Sequence, residues 1–279
     1  MSAYRFCRTD DIGLLVDALN RCWAPHFPDE PPATPAAFKR SIRNLQVWCS
    51  SCMVAFADGI PIGVLIGAKR PGGTLIHRIA VHPDHLRQGH GRHLLASLGS
   101  KLAILGPPRM IAEVPESLSA ARGLFRACGY EEEVRLTDYV LQEASGPASG
   151  VPGFIIPVSV DDLAGNGLLA DPDSHMCWER SVETLRARKE ALAGLAVASD
   201  EGIEAYLLYD SDTTEIALLR SLIDDGGARL RHLLARLADP GACRFPKVHP
   251  AEVPEALLAS LGFRAAGVHL VYGALARSG

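Results

Sequence analysis

From residue 53 to residue 81 the apolar residues come in short blocks, Met53–Ala57, Ile62–Gly67 and Leu75–Val81, separated by polar or breaker residues. Blocks this short, rich in Val and Ile, predict strands rather than helices. Asp58-Gly59 joins the first two as a hairpin turn, because glycine accepts positive φ without a steric penalty. Further on the period changes. Leu94, Leu95, Leu98 and Leu102 share one face of a helix predicted over 91–105. Met110–Val114 reads as a fourth strand, Leu118–Cys128 as a helix closed by Gly129, and Glu131–Leu141 as a final strand. Upstream, Thr9 is placed to cap a helix over 10–24, and Thr34-Pro35 combines a cap with a proline at the first helical position of a helix ending near Asn44. The order helix, helix, hairpin, strand, helix, strand, helix, strand predicts a mixed α/β unit.

The run Glu143 to Gly153 contains Ser, Ala, Gly and Pro and little that can be buried, so it predicts a linker at 143–153 between domains over 1–142 and 154–279. Beyond it the first pattern returns. Ala196–Tyr209 repeats the strand, turn and strand of Val54–Gly67, and Thr214–Arg220 echoes the third strand. Arg231–Leu234 echoes Arg92–Leu95, and Leu257–Phe263 echoes Leu124–Tyr130. In this alignment Ala228 and Leu230 stand where the first copy has Gly89 and Gly91.

Composition narrows the function classes. The 279 residues are 48% apolar with a formal net charge of −4 and no long run of one sign, which gives no electrostatic reason to expect nucleic acid or an anionic membrane as partner. No apolar stretch reaches the length of a membrane helix. Seven scattered cysteines have no disulfide framework, as expected of a reduced, cytoplasmic chain. His82, His85, His90 and His93 lie close together in sequence, but no carboxylate or cysteine accompanies them at ligand spacing, so no metal is expected. Two other groups are more open. His26, Asp29 and Glu30 of the Pro-rich loop are placed to touch a substrate, or are solvated loop residues. Trp178, in Cys177–Arg180, is an aromatic wall of a site or a packed core residue.

The chemistry concentrates in Ile79-Ala-Val-His-Pro followed by Arg87-Gln-Gly-His-Gly-Arg-His-Leu-Leu95, where a strand leads through a short loop into a helix. Glycines at such a helix start let backbone N–H groups approach an anion, and the helix dipole and Arg87 and Arg92 favour negative charge there. This segment resembles motif A of the GNAT superfamily of N-acetyltransferases. The Asp-Gly hairpin, the two opening helices and Ala121–Tyr130 agree with that family's order over about residues 4–142.

The resemblance implies two GNAT-like domains, each a mostly antiparallel twisted sheet flanked by helices, the second degenerate and without a pyrophosphate loop. It implies acetyl-coenzyme A as co-substrate, its pyrophosphate on the amides of Gln88, Gly89, His90, Gly91 and Arg92 with Arg87 nearby. The pantetheine arm would run along Ile79, Ala80 and Val81 where the sheet splays beside Glu113. The acceptor is then a primary amine of a small molecule or peptide; tandem chains of the mycothiol synthase type make a thiol-precursor amine the alternative, and a homodimer is admitted. Transfer needs a neutral amine, and His77 and Glu113 are the candidate bases. The chain departs from the family at Leu86, often Arg or Gln, and at Phe125, where relatives carry a tyrosine that protonates the departing thiolate. Tyr130 and Tyr139 are the candidates to replace it, and a coenzyme-binding sensor without transfer is the alternative function.

Overall fold

The computed structural model describes residues 2–141, 153–169, 177–237 and 243–277. In chain order the elements are β1 (Ser2–Phe6), α1 (Ile12–Cys22), α2 (Pro35–Leu45), β2 (Met53–Ala57), β3 (Ile60–Arg70), β4 (Gly73–Val81), α3 (His90–Leu105), β5 (Arg109–Pro115), α4 (Ser119–Ala127) and β6 (Glu131–Leu141). They continue with β7 (Phe154–Pro157), α5 (Val160–Gly165), α6 (Val182–Ala187), β8 (Leu192–Ser199), β9 (Gly202–Asp210), β10 (Ile216–Ser221), α7 (Ala228–Leu234), β11 (Cys243–Val248), α8 (Glu255–Ser260) and β12 (Phe263–Leu275). The chain forms two compact units, Met1–Val134 with Leu270–Gly279, and Arg135–His269. The division falls inside β6 and again inside β12, and the breaker-rich run 143–153 lies almost wholly outside the described residues.

In the first unit β1 to β4 are antiparallel neighbours in sequence order and β5 joins β4 in parallel, with the end of β12 on the far side of β5. The β2–β3 turn is as the sequence predicts, with Asp58 at φ 49° and Gly59 at φ 80°, both positive as a two-residue hairpin requires. Thr34 Oγ1 accepts the Ala37 N–H at 3.1 Å, confirming that cap. Thr9 caps nothing: α1 starts after Asp11, whose carboxylate instead accepts from the Arg8 N–H and from Arg5. The strand β1, ahead of it, is not signalled by the polar sequence Ser-Ala-Tyr-Arg-Phe; edge position against β2 gives it its order. Leu94, Leu95, Leu98 and Leu102 are all buried, and each such side chain contributes roughly 1.5–3 kcal/mol. A Cβ on Gly91 would lie 3.1 Å from Leu124, and one on Gly99 3.4 Å from Met110, so these glycines let α3 approach α4 and β5 closely.

The second unit carries the four-stranded antiparallel sheet β10-β9-β8-β7. Alternation along β8 and β9 gives it two buried faces. Val197, Ala205 and Leu207 join Leu230, Leu233, Leu234, Phe245 and Leu258 on one side, while Ala196, Tyr206 and Leu208 join Val160, Leu163 and Leu185 on the other. Trp178 is buried in this unit, and Arg180 beside it is 3% exposed, paired with Glu252 at 2.6 Å and donating to the carbonyls of Pro246 and Lys247. Of the two readings of Cys177–Arg180 the structure supports the packed one.

Candidate active site

The site is built where β4 and β5 part. Their parallel ladder has two rungs, Thr74 with Met110 and Leu75 with Ile111, after which the strands are no longer paired. On the other side of β4, β3 stays paired up to Val81, but Ile66 faces Arg78 while Gly67 faces Ile76, which leaves His77 as the extra residue of a bulge. The bulge breaks the period-two alternation, so His77 does not share the face of Ile79 as it would on a regular strand; the residue is half-buried at the point of divergence. Glu113 lies on β5 two residues past the last rung, half-buried on the strand face opposite Met110, Ala112 and Val114.

Beyond the bulge the backbone of β4 alternates. His82 donates to the Ile62 carbonyl at 2.9 Å, which makes Val81–Gly63 and Ile79–Leu65 the non-hydrogen-bonded pairs of the β3–β4 ladder. The N–H and C=O groups of Ile79 and Val81 therefore point away from β3, toward the gap, whereas those of Ala80 are turned to β3. Of the three residues expected to meet an added strand, two offer their backbones. The Val81 carbonyl is already bonded to the ring of His26, Nε2 at 2.8 Å.

The loop after β4 ends in two consecutive features of positive φ, Arg87 at 62° and, one residue before α3, Gly89 at 88°. Gln88 between them keeps the loop closed through its side-chain contact with the Asp84 carbonyl at 3.4 Å. The first ladder bond of α3 runs from His93 N–H to Gly89 C=O at 3.0 Å, so among the described residues the N–H groups from Arg87 to Arg92 have no backbone acceptor. Arg87, Gln88, Gly89 and Arg92 are exposed, and a Cβ on Gly89 would meet nothing within 4 Å. The glycines thus divide their work. Gly89 supplies the left-handed turn, and Gly91 supplies room for Leu124 rather than for an anion.

The histidine run is structural. The His90 ring is buried, its Nδ1 2.6 Å from the Tyr4 hydroxyl, and the His93 ring lies against the Tyr4 ring, tilted by 36° with centroids 3.7 Å apart, tying the start of α3 to β1. Burial, with His85 and His93 nearby, holds the His90 pKa below its ordinary value. Among the described residues no group of three or more His, Cys, Asp or Glu is arranged to hold a metal ion. The Pro-rich loop closes on β4: Glu30 pairs with Arg78 at 3.1 Å and accepts from Trp23 Nε1, and the Arg78 guanidinium lies 4.7 Å over the Trp23 ring. Asn20 clamps the loop by bonding both backbone groups of Ala33. Tyr4, Trp23 and Arg78 carry no motif and were not legible as site-forming residues.

Neither tyrosine proposed to replace the one missing at Phe125 is placed for it. Tyr130 donates to Met110 Sδ at 3.5 Å inside the core, where burial pushes its pKa up, and Tyr139 packs in the core of the second unit. Phe125 itself is 2% exposed, edge-on to Tyr130 and stacked on Tyr272 with ring centroids 5.9 Å apart.

Residues 14–130 match the family model for the GNAT acetyltransferases. The match covers somewhat less than half of the chain and identifies those residues as similar to the GNAT acetyltransferases. No curated protein sequence matches it. Among solved structures, a tandem GNAT protein from the clavulanic acid biosynthesis pathway is 15% identical with a TM-score of 0.69, each chain covering 99% of the other. A GCN5-related N-acetyltransferase from Sphaerobacter thermophilus is 15% identical with a TM-score of 0.68, over 100% of this chain and 96% of that one. A putative acetyltransferase from Pyrococcus horikoshii is 17% identical with a TM-score of 0.63, over 99% and 90%. At these identities the likeness is one of fold, and it extends over the whole chain.

The second unit corrects one detail of the repeat. The residue before α7, at φ 81°, is Gly227, so Gly227 and not Ala228 is the counterpart of Gly89. The turn glycine is retained. What differs is the side chain of Asp225, whose carboxylate accepts the N–H groups of Gly227, Ala228 and Arg229 at 2.9, 3.1 and 3.0 Å, and is paired with the Arg229 guanidinium, which also meets Glu204. An internal anion occupies the amides that the first unit leaves open.

Proposed function

We propose that the first unit binds acetyl-coenzyme A on the amides of Gln88 to Arg92 and along Ile79 and Val81, and transfers the acetyl group to a primary amine of a small molecule or peptide. The observation that carries this reading is the six-residue run of unbonded amides at the start of α3, opening beside the gap between β4 and β5. When bound, the coenzyme supplies the activated acetyl group. The chain's own part is to hold the pyrophosphate on converging N–H groups, with Arg87 and Arg92 adding charge, and to meet the arm with the Ile79 and Val81 backbone. His77 or Glu113, both at the divergence, would take the proton that the amine gives up.

A second reading, binding of acetyl-coenzyme A without transfer, is favoured by Phe125, which has no proton to give. Calorimetric titration of acetyl-coenzyme A into the chain tests the first step, with micromolar binding at one site per chain expected. Thiol release with a panel of primary amines then separates the two readings. Absence of binding would sink both. Replacing Gly89 with Glu should lower the affinity at least about 100-fold, by backbone strain and by a carboxylate facing the pyrophosphate; retained affinity would refute the placement.

A further inference from the structure

The Val81 carbonyl is aimed into the gap between β4 and β5, and it is not open. Because Val81 and Gly63 form a non-hydrogen-bonded pair, that oxygen points away from β3, and a donor to it has to stand on the gap side of β4. The donor is His26 Nε2 at 2.8 Å. An arm added to β4 like a strand would run about 4.8 Å from it. A ring nitrogen 2.8 Å from the Val81 oxygen stands inside that lane, so ring and arm compete for it. His26 ends the short helical turn Ala24–His26, and its side chain is exposed while the turn on either side is anchored. Trp23 Nε1 donates to Glu30, the Trp23 ring is stacked on Phe27 with centroids 4.3 Å apart, and Glu30 is paired with Arg78 on β4. Asn20 holds the far end of the loop at Ala33. The loop is thus docked through contacts that do not involve the His26 ring, and a change of that one rotamer would uncover Val81.

We infer that His26 is a built-in competitor for the coenzyme arm: its ring fills the lane beside Val81 in the free chain, and the arm has to displace it to bond that carbonyl. The inference rests on the coenzyme reading above. A hydrogen bond already made is given up when the arm arrives, so the apparent affinity is the intrinsic one reduced by the fraction of chains whose ring has swung out. This cost falls only on ligands that carry the arm. The amides from Gln88 to Arg92 lie past the loop that follows β4 and make no contact with the ring, so an arm-free ligand meets them unopposed. Of the loop residues singled out in the sequence, His26 faces the gap and Glu30 anchors the loop.

The test is His26→Ala in the full chain, titrated by calorimetry beside wild type with coenzyme A and with 3′-phosphoadenosine 5′-diphosphate, which has the pyrophosphate but no arm. The substitution should tighten coenzyme A about threefold to tenfold, the range of one hydrogen bond, and leave the arm-free nucleotide unchanged. In wild type, the His26 ring nitrogens followed by NMR should shift when coenzyme A saturates the site and stay in place with the nucleotide. Coenzyme A affinity that is unchanged or weakened in His26→Ala overturns the inference and leaves the coenzyme reading intact, as do His26 resonances that respond alike to both ligands. Equal tightening of both ligands makes the effect one of the whole loop and overturns it too. Binding of neither ligand by either protein sinks the coenzyme reading itself.

Discussion

Single residues decide the chemistry here through position more than type. His77 is the extra residue of a bulge and sits where the coenzyme arm would end, so His77→Gln is expected to cut turnover about 100-fold with acetyl-coenzyme A affinity unchanged in the same calorimetric assay. Unchanged turnover would leave Glu113 as the base. Arg180 and Glu252 are 3% and 2% exposed, and removing one partner strands the other charge. Glu252→Ala should destabilise by about 3–5 kcal/mol in urea unfolding, far more than an exposed pair would. A loss below about 1 kcal/mol would show that the carbonyls of Pro246 and Lys247 suffice for Arg180.

At the scale of elements, the starts of α3 and α7 are the same device in two states. Both follow a glycine in the left-handed region, but α7 has its amides filled by Asp225. Burial alone would raise the Asp225 pKa; the hydrogen bonds from Arg229 and from the Gly227 and Arg229 backbones outweigh it and hold the carboxyl below its ordinary value. A carboxyl depressed in the folded state stabilises above its unfolded pKa, and the contribution disappears as pH falls through the folded value. Asp225→Asn is therefore expected to lower the melting temperature at pH 7, by about 1–2 kcal/mol equivalent, and to narrow the gap to wild type as the pH falls below the ordinary carboxylate range. A gap independent of pH would mean that the carboxylate charge does not matter. The contrast also predicts that coenzyme A binds at one site per chain.

On the scale of the whole molecule, the first compact unit is built from two separate stretches of chain. Residues from Leu270 onward belong to the first compact unit, with β12 beside β5, so a chain ended at residue 142 lacks a strand of that unit's sheet. Such a fragment should show reduced β-sheet ellipticity and no cooperative melt. A fragment that melts cooperatively and binds acetyl-coenzyme A would show that β12 is dispensable.

Local sequence determined most elements of this protein and the glycine turn that opens α3. The hairpin at Asp58-Gly59, the cap at Thr34, the leucine face of α3 and the loop around Gly89 were legible because each is specified within a few residues by turn chemistry, capping or period. Tertiary structure decided the rest. The bulge at His77 follows from the register of β3 against β4, and the separate jobs of Gly89 and Gly91 follow from which one faces Leu124. Asp225 acts as an internal anion only because the fold turns its carboxylate onto α7, and Tyr272 reaches Phe125 only because β12 pairs beside β5. Pairings between residues so far apart leave no periodic trace in the chain, since each strand's alternation records that it is buried but not against which neighbour.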